Sequence, residues 1–195
     1  MASKITPELT NDFLAGARVF AKAVREVFEA AVLKEVAGGK VTFPQLKMLY
    51  LVAQTGTVTV GDAAAFLGVT SAAASKAVEK LVRRRYLRRN DIQGDRRTSQ
   101  LSITDASRRL LDAYEAARNQ KAAEIFAQYS PEQLRYTAEL LDHLAAGISE
   151  QTTSPDQVCV QCEVYFREEC RFGRFGRRNC FYLNHRLAES KEVPA

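Results

Sequence analysis

The sequence is short of thiols, of long apolar runs and of the side-chain pairings that make enzymes. No cysteine occurs before Cys159, so neither disulfides nor a thiolate metal site braces most of the chain. The longest apolar runs, such as Met48 to Ala53, stop far short of the roughly 20 residues that a bilayer-spanning helix needs. Met1 to Thr10 lacks the pattern of a signal peptide, so a cytoplasmic protein with no membrane partner is expected. There is no glycine-rich phosphate loop, no nucleophile placed beside a base and no paired carboxylates. Gly173 and Gly176 stand among Arg and Phe and form no phosphate-binding motif. Enzymatic turnover is therefore not expected. The two histidines, His143 and His185, are isolated and read as solvated rather than as ligands. No internal repeat or low-complexity tract is present.

What the sequence does hold is enough apolar material for one sizeable core, or for a compact domain carrying a small appendage. It has 195 residues, 46% of them hydrophobic. Lys and Arg number 28 against 23 Asp and Glu, for a net charge of +5, and the pI is about 9.1. That balance favours a polyanionic partner.

Helical periodicity governs most of the chain. From Pro7 to Val36, Phe13, Ala17, Phe20, Ala21, Val24, Val27, Phe28, Ala31 and Val32 recur at spacings of three and four, predicting one long helix that Gly38 and Gly39 end. Thr42 and Pro44 open a second helix, which runs to Gln54. Two short helical signals follow. Val60 to Leu67 begins after the potential cap Thr59, Gly68 and Val69 break it, and Ser71 to Arg85 resumes after Thr70. This is a helix, tight turn, helix arrangement. Leu87 to Arg89 and Ser99 to Ile103 read as two short strands around a polar loop containing Gly94, a hairpin that would form a wing. Thr104 and Asp105 open a helix to about Gln128, and Ser130 and Pro131 open another to about Ala146. Gly147 to Gln157 reads as a linker. The expected division is 1–40 and 105–150 for dimerisation helices, 41–104 for the DNA-binding unit, and 151–195 for the linker and a Cys-rich appendage.

A helix reads base edges in the major groove when its solvent face carries short groups near the bases and cations near phosphate. The helix after Thr70 has both. Ala74, Val78, Leu81 and Val82 are left for burial, and Thr70, Ser71, Ala72, Ser75, Lys76 and Lys80 are available for another face. Lys76 and Lys80 are the phosphate candidates, while Thr70 and Ser75 could equally serve as helix caps. Seven arginines crowd the next fifteen residues: Arg83, Arg84, Arg85, Arg88, Arg89, Arg96 and Arg97. A hairpin tip bearing Arg96 or Arg97 would reach the adjacent minor groove. An isolated Arg run reads as a solvated face, but a run that follows a helix-turn-helix points to double-stranded DNA.

Taken in order, these segments resemble the multiple-antibiotic-resistance regulator (MarR) family of winged helix-turn-helix transcription factors, over about Lys4 to Ser149. The likeness is carried by Phe43-Pro44-Gln45-Leu46, Val58-Thr59-Val60-Gly61-Asp62-Ala63-Ala64, Leu67-Gly68-Val69 and Ala74-Ser75-Lys76-Ala77-Val78. It continues through Gly94-Asp95-Arg96-Arg97 and Leu101-Ser102-Ile103-Thr104. The resemblance implies a mainly α fold with a two-stranded wing. It also implies a homodimer whose first and last helices intertwine, and two recognition helices about one DNA turn apart on a pseudo-palindromic operator. It implies further that Asp95 and Arg97 pair to organise the wing while Arg96 and Arg97 share the minor-groove role. The protein would act as a repressor, and many family members take a small-molecule effector between the dimer and DNA-binding regions. Two positions depart from the family pattern: Arg85-Tyr86 stands where Arg-Gly is usual, and Ser107 replaces a common Gly.

The family does not account for the end of the chain, where all four cysteines lie. Cys159 and Cys162 form one close pair, followed by Cys170 and Cys180. Four thiolates suit zinc or an iron-sulfur cluster, and Arg167, Arg171, Arg174, Arg177 and Arg178 would offset their charge. One close pair with two separated ligands favours the cluster over zinc, and disulfides or free thiols remain the alternative. Such a site would either staple the segment or sense redox or metal status.

Overall fold

The computed structural model describes residues 5–56, 58–92, 95–152, 162–167, 170 and 180–182, without the side chains of 91, 92, 95–98 and 152. It is mainly helical. Thr6 opens helix α1 (Pro7–Lys22), its hydroxyl accepting from the Leu9 N–H at 3.3 Å, with Pro at the first helical position. The single helix expected from Pro7 to Val36 is interrupted. A π-helical stretch, Ala23–Glu29, separates α1 from α2 (Ala30–Ala37), which ends at Gly38 with φ 55°. A π-turn shifts the helical register. The two halves differ accordingly: α1 buries no residue, whereas α2 sends Val32, Leu33 and Ala37 into the core.

Helix α3 (Phe43–Thr55) starts on a capping box in which the Thr42 N–H donates to Gln45 Oε1 at 3.0 Å. Leu46, Met48, Leu49, Leu51 and Val52 are all fully buried. Five such residues within seven positions cannot share one face of a helix, so α3 is enclosed on several sides. Strand β1 (Val58–Thr59) leads into α4 (Val60–Leu67), where Thr59 and Asp62 cap each other through backbone bonds of 2.9 and 3.1 Å. Gly68, at φ 63°, takes the left-handed position that ends α4 and turns the chain toward α5 (Ser71–Arg83).

Strands β2 (Leu87–Ile92) and β3 (Asp95–Ile103) reach further into the hairpin than the short strands predicted, and the sheet has three strands rather than two, in the order β1-β3-β2. Val58 pairs with Leu101 and Thr59 with Gln100. Two residues carry no alternation pattern, which is why β1 has no signature in the sequence. Between Asp91 and Ile92 the register jumps from Ser99 to Asp95, so Arg96, Arg97 and Thr98 bulge out of the pairing. Helices α6 (Asp105–Phe126) and α7 (Pro131–Thr152) complete the main body. A short 3₁₀ turn, Glu163–Tyr165, and the Phe181-Tyr182 pair pack back onto the core.

The two departures from the family pattern meet at one junction. Arg85 has φ 62°. The Thr104 hydroxyl donates to the Arg85 carbonyl at 2.7 Å, and the fully buried Ser107 hydroxyl donates to the Tyr86 carbonyl. Ser107 thus ties the entry of β2 to the first turn of α6, a contact that glycine could not make. The left-handed backbone at Arg85 costs an L-residue roughly 1 kcal/mol. Arg85→Gly is expected to raise the urea unfolding free energy by up to about 1 kcal/mol, because the freed strain outweighs the added chain entropy. A urea titration followed by circular dichroism reads this directly, and a lowered midpoint would contradict it.

Candidate nucleic-acid interface

Helix α5 presents two chemically distinct faces. Ala74, Val78 and Leu81 are buried, holding the helix to the core. Ser71, Ala72, Lys76, Glu79 and Lys80 are exposed and Ser75 is half-buried. Thr70 acts as the N-cap, its hydroxyl accepting from the Ala73 N–H at 3.2 Å, so one of the predicted contact residues has a structural task as well. Lys76 and Lys80 make no ion pair among the described residues. Both are available for phosphate.

Beyond α5, Arg83, Arg84, Arg85, Arg88 and Arg89 are all exposed, the last two on opposite faces of β2. Arg84 differs from the others in donating a guanidinium hydrogen bond to the Lys40 carbonyl, which ties the end of α5 to the loop after α2. Asp95, Arg96 and Arg97 lie on β3 at the bulged hairpin, and their side chains fall outside the described residues. The structure therefore brings Thr70, Ser71, Ala72, Ser75, Lys76 and Lys80 onto one helix and places the wing arginines on the adjoining hairpin. Glu79, exposed one turn beyond Ser75, shares this face, and an acidic residue falls outside the pattern of small and basic groups that marks it in the sequence. Carboxylates also read bases, accepting from cytosine N4.

The predicted metal ligands divide differently. Cys162, Cys170 and Cys180 are half-buried, and Cys162 and Cys180 pack against the hydrophobic core. Cys159 lies outside the described residues. Among those described, no three His, Cys, Asp or Glu side chains group closely enough to hold a metal ion.

A cavity of about 1170 Å³ lies between α3 and α6 and the residues 162–167. Phe20, Val24 and Phe28 wall it on one side, Tyr50 and Arg118 on another, and Cys162 and Val164 to Arg167 on a third. The Arg118 guanidinium donates to the Val164 carbonyl at 2.6 Å and stacks 4.8 Å from the Tyr165 ring centroid. Behind this wall, Tyr50 and Tyr114 meet edge to face at 6.4 Å, and burial pushes both phenols well above the usual tyrosine range. They stay protonated at any ordinary pH. Glu29 closes the cluster, 2% exposed, with its Oε2 lacking a hydrogen bond. Burial pushes its carboxyl pKa up, partly offset by a hydrogen bond from the Tyr165 hydroxyl; the Glu163 charge raises it further, and Arg25 and Lys47 pull it down. Glu29 stands three residues before Val32 on the inward stripe of its helix. In an unbroken α-helix Glu29 would fall away from the apolar stripe of Phe13 to Ala31, so its burial follows from the π-helical stretch and carries no sequence signal.

No curated protein matches the chain in sequence. Residues 40–98 match the family model described as MarR family. Among solved structures, RV1404 from Mycobacterium tuberculosis superposes with a TM-score of 0.61 at 21% identity, covering 74% of this chain and 95% of that one. A MarR family protein from Bacillus stearothermophilus gives 0.62 at 17% identity, covering 74% and 99%. NadR in complex with 4-hydroxyphenylacetate gives 0.50 at 19% identity, covering 74% and 98%.

The Glu29 environment sets a pH dependence. Its pKa is raised on folding, so the folded state holds this proton more tightly than the unfolded chain. The contribution to stability is full below the ordinary carboxylate value near 4.5 and is lost as pH rises through the folded value. Glu29→Gln removes the ionisation. The variant is expected to unfold at higher denaturant than the parent at pH 8, by on the order of 1 kcal/mol, with the gain shrinking toward pH 4. Equal differences at the two pH values would show that Glu29 does not titrate on unfolding. Residues 40–98 thus match the MarR family model, and over 74% of its length the chain shares the fold of RV1404.

Proposed function

We propose that the protein is a homodimeric, DNA-binding transcriptional repressor that grips an operator through two copies of α5, with the wing arginines Arg96 and Arg97 entering the flanking minor groove. One observation carries the reading: the second helix of a helix-turn-helix exposes small residues and lysines that form no ion pair among the described residues, and exposed arginines follow it. Affinity then rests on phosphate contacts and is salt-dependent, while Ala72, Ser75 and Glu79 supply the base-facing groups. The test is selection of duplexes from a random pool, followed by titration of the selected site over a range of salt. Lys76→Ala and Lys80→Ala are each expected to reduce the slope of log K against log salt by about 1. Unchanged slopes would remove these lysines from the phosphate set.

The dimer follows from what the chain leaves uncovered. Leu9, Phe13, Leu14, Val19 and Phe20 on α1, and Tyr136, Leu140 and Ile148 on α7, are exposed. Apolar patches of this extent mark interaction surfaces, and a second copy offers the matching helices. Leu9→Glu combined with Leu140→Glu is expected to give a monomer by analytical ultracentrifugation, and to lower affinity for a two-half-site duplex by at least about tenfold. A dimer that survives both changes would place the interface elsewhere.

The four cysteines form the control site in this reading, holding an iron-sulfur cluster or zinc that reports redox or metal status. Iron, zinc and acid-labile sulfide measured per chain on anaerobically purified protein decide between the two. A second reading, a regulator released by a small molecule, is favoured by the 1170 Å³ cavity, which abuts α3 and α6, and by NadR having been solved with 4-hydroxyphenylacetate. Arg118 gives that cavity a cation for an anionic ligand.

A further inference from the structure

The described residues of the cysteine segment, 162–167 and 180–182, pack against the rest of the fold. Val164 and Tyr182 are 2% and 0% exposed and belong to the same hydrophobic core as α3, α4 and β3. The Phe66 ring, near the end of α4, lies 5.1 Å from Phe181 and 5.3 Å from Tyr182, and Tyr182 lies 4.8 Å from Phe166. Ring pairs at these distances and tilts are attractive beyond the area they bury.

Polar ties hold the same segment to three further helices. Glu163 pairs with Lys47 on α3, and both side chains are largely withdrawn from solvent. The Val164 carbonyl accepts from Arg118 on α6. Arg167 grips Asp142 on α7 with two bonds, 2.8 and 2.9 Å. Bidentate guanidinium–carboxylate bonds fix orientation as well as distance. The segment thus touches both helices that position the DNA-reading unit and both helices that follow it. Cys162 stands immediately before the first set of anchors and Cys180 immediately before the second.

We propose that this segment is a strap which seats α4 through Phe66, and that the chemical state of Cys162 and Cys180 controls whether the strap is docked. It rests on the reading of the cysteines as a control site and supplies that site's route to DNA. Because α4 and α5 are joined by only the Gly68 turn, loosening α4 frees the helix that presents Lys76 and Lys80. Docking the strap closes the core around α3 and α4, and undocking it opens that core at Phe66. The effect is local, since α6 keeps its own contacts with α2 and α3.

The test is hydrogen exchange on the full chain, comparing the parent with Cys162→Ser/Cys180→Ser and with Phe66→Leu, which keeps apolar bulk but removes the ring. The α4 amides are expected to exchange at least about tenfold faster in both variants, with the middle of α6 unchanged. Combining the three substitutions is expected to add nothing beyond either variant alone, because both act on one docking event. Additive acceleration, or loosening that extends through α6, would overturn the strap. If Phe66→Leu loosens α4 and the cysteine variant does not, the strap stands and the control-site reading fails. If neither loosens it, the strap fails. Duplex binding by the unmodified protein judges the regulator reading separately.

Discussion

Burying helix α3 is the constraint on which the other elements depend. Met48, Leu49, Tyr50, Leu51 and Val52 are consecutive and all buried, so successive side chains point in every direction around the helix axis. One packing layer covers only part of such a helix. The cover comes from α4 on one side, α6 on another, β3 at the wing end, and the Glu163–Tyr165 turn near Lys47. Helix α4, strand β3, helix α6 and the Glu163–Tyr165 turn thus all close over the same helix and share one core with it.

The distribution of apolar surface follows from the same constraint. With α3 satisfied from within the chain, α1 buries no residue and α7 buries little beyond Ala146 among the described residues, so many of their leucines and aromatics face outward. The π-helical stretch marks the changeover, with outward residues before it and core residues after it. It also delivers Glu29 to the buried side. A carboxylate there is expensive, and it is tolerated beside a hydrogen bond from Tyr165 and the positive charges of Arg25 and Lys47. The polar cluster behind the cavity therefore sits where the outward-facing half of the first helix meets the half that belongs to the DNA-reading unit.

Much of this was legible in the sequence because it is local. Capping residues at Thr42, Thr59, Thr70 and Thr104, with Gly38 and Gly68 as stops, mark most helix ends where the structure has them. The faces of α5 follow from the 3.6-residue period alone. The parts that escaped are those without a period. Strand β1 is two residues long, and it exists only because Leu101 and Gln100 are presented to it from more than forty residues away. The π-turn leaves every apolar spacing at three or four and so looks like an ordinary helix. Long-range ties such as Lys47 to Glu163 and Phe66 to Tyr182 join residues 116 apart, a distance over which no spacing rule operates.

The wall of the cavity, Cys162 to Arg167, is also the first part of the strap proposed to seat α4, whose second part is Phe181 and Tyr182, and this joins the two proposed signals. Arg118 is shared most directly. Its guanidinium holds the Val164 carbonyl from within the cavity lining, so an anionic ligand competes with that carbonyl for the cation, and a charged acceptor forms the stronger bond. A ligand that wins this competition pulls one anchor from the strap. By linkage the converse holds with equal force: a strap locked at its cysteines raises the cost of seating such a ligand, and a loosened one lowers it. Sensing by thiols and sensing by a small molecule are then two inputs to one docking equilibrium, with Phe66 as the common contact through which either reaches the helix that meets DNA.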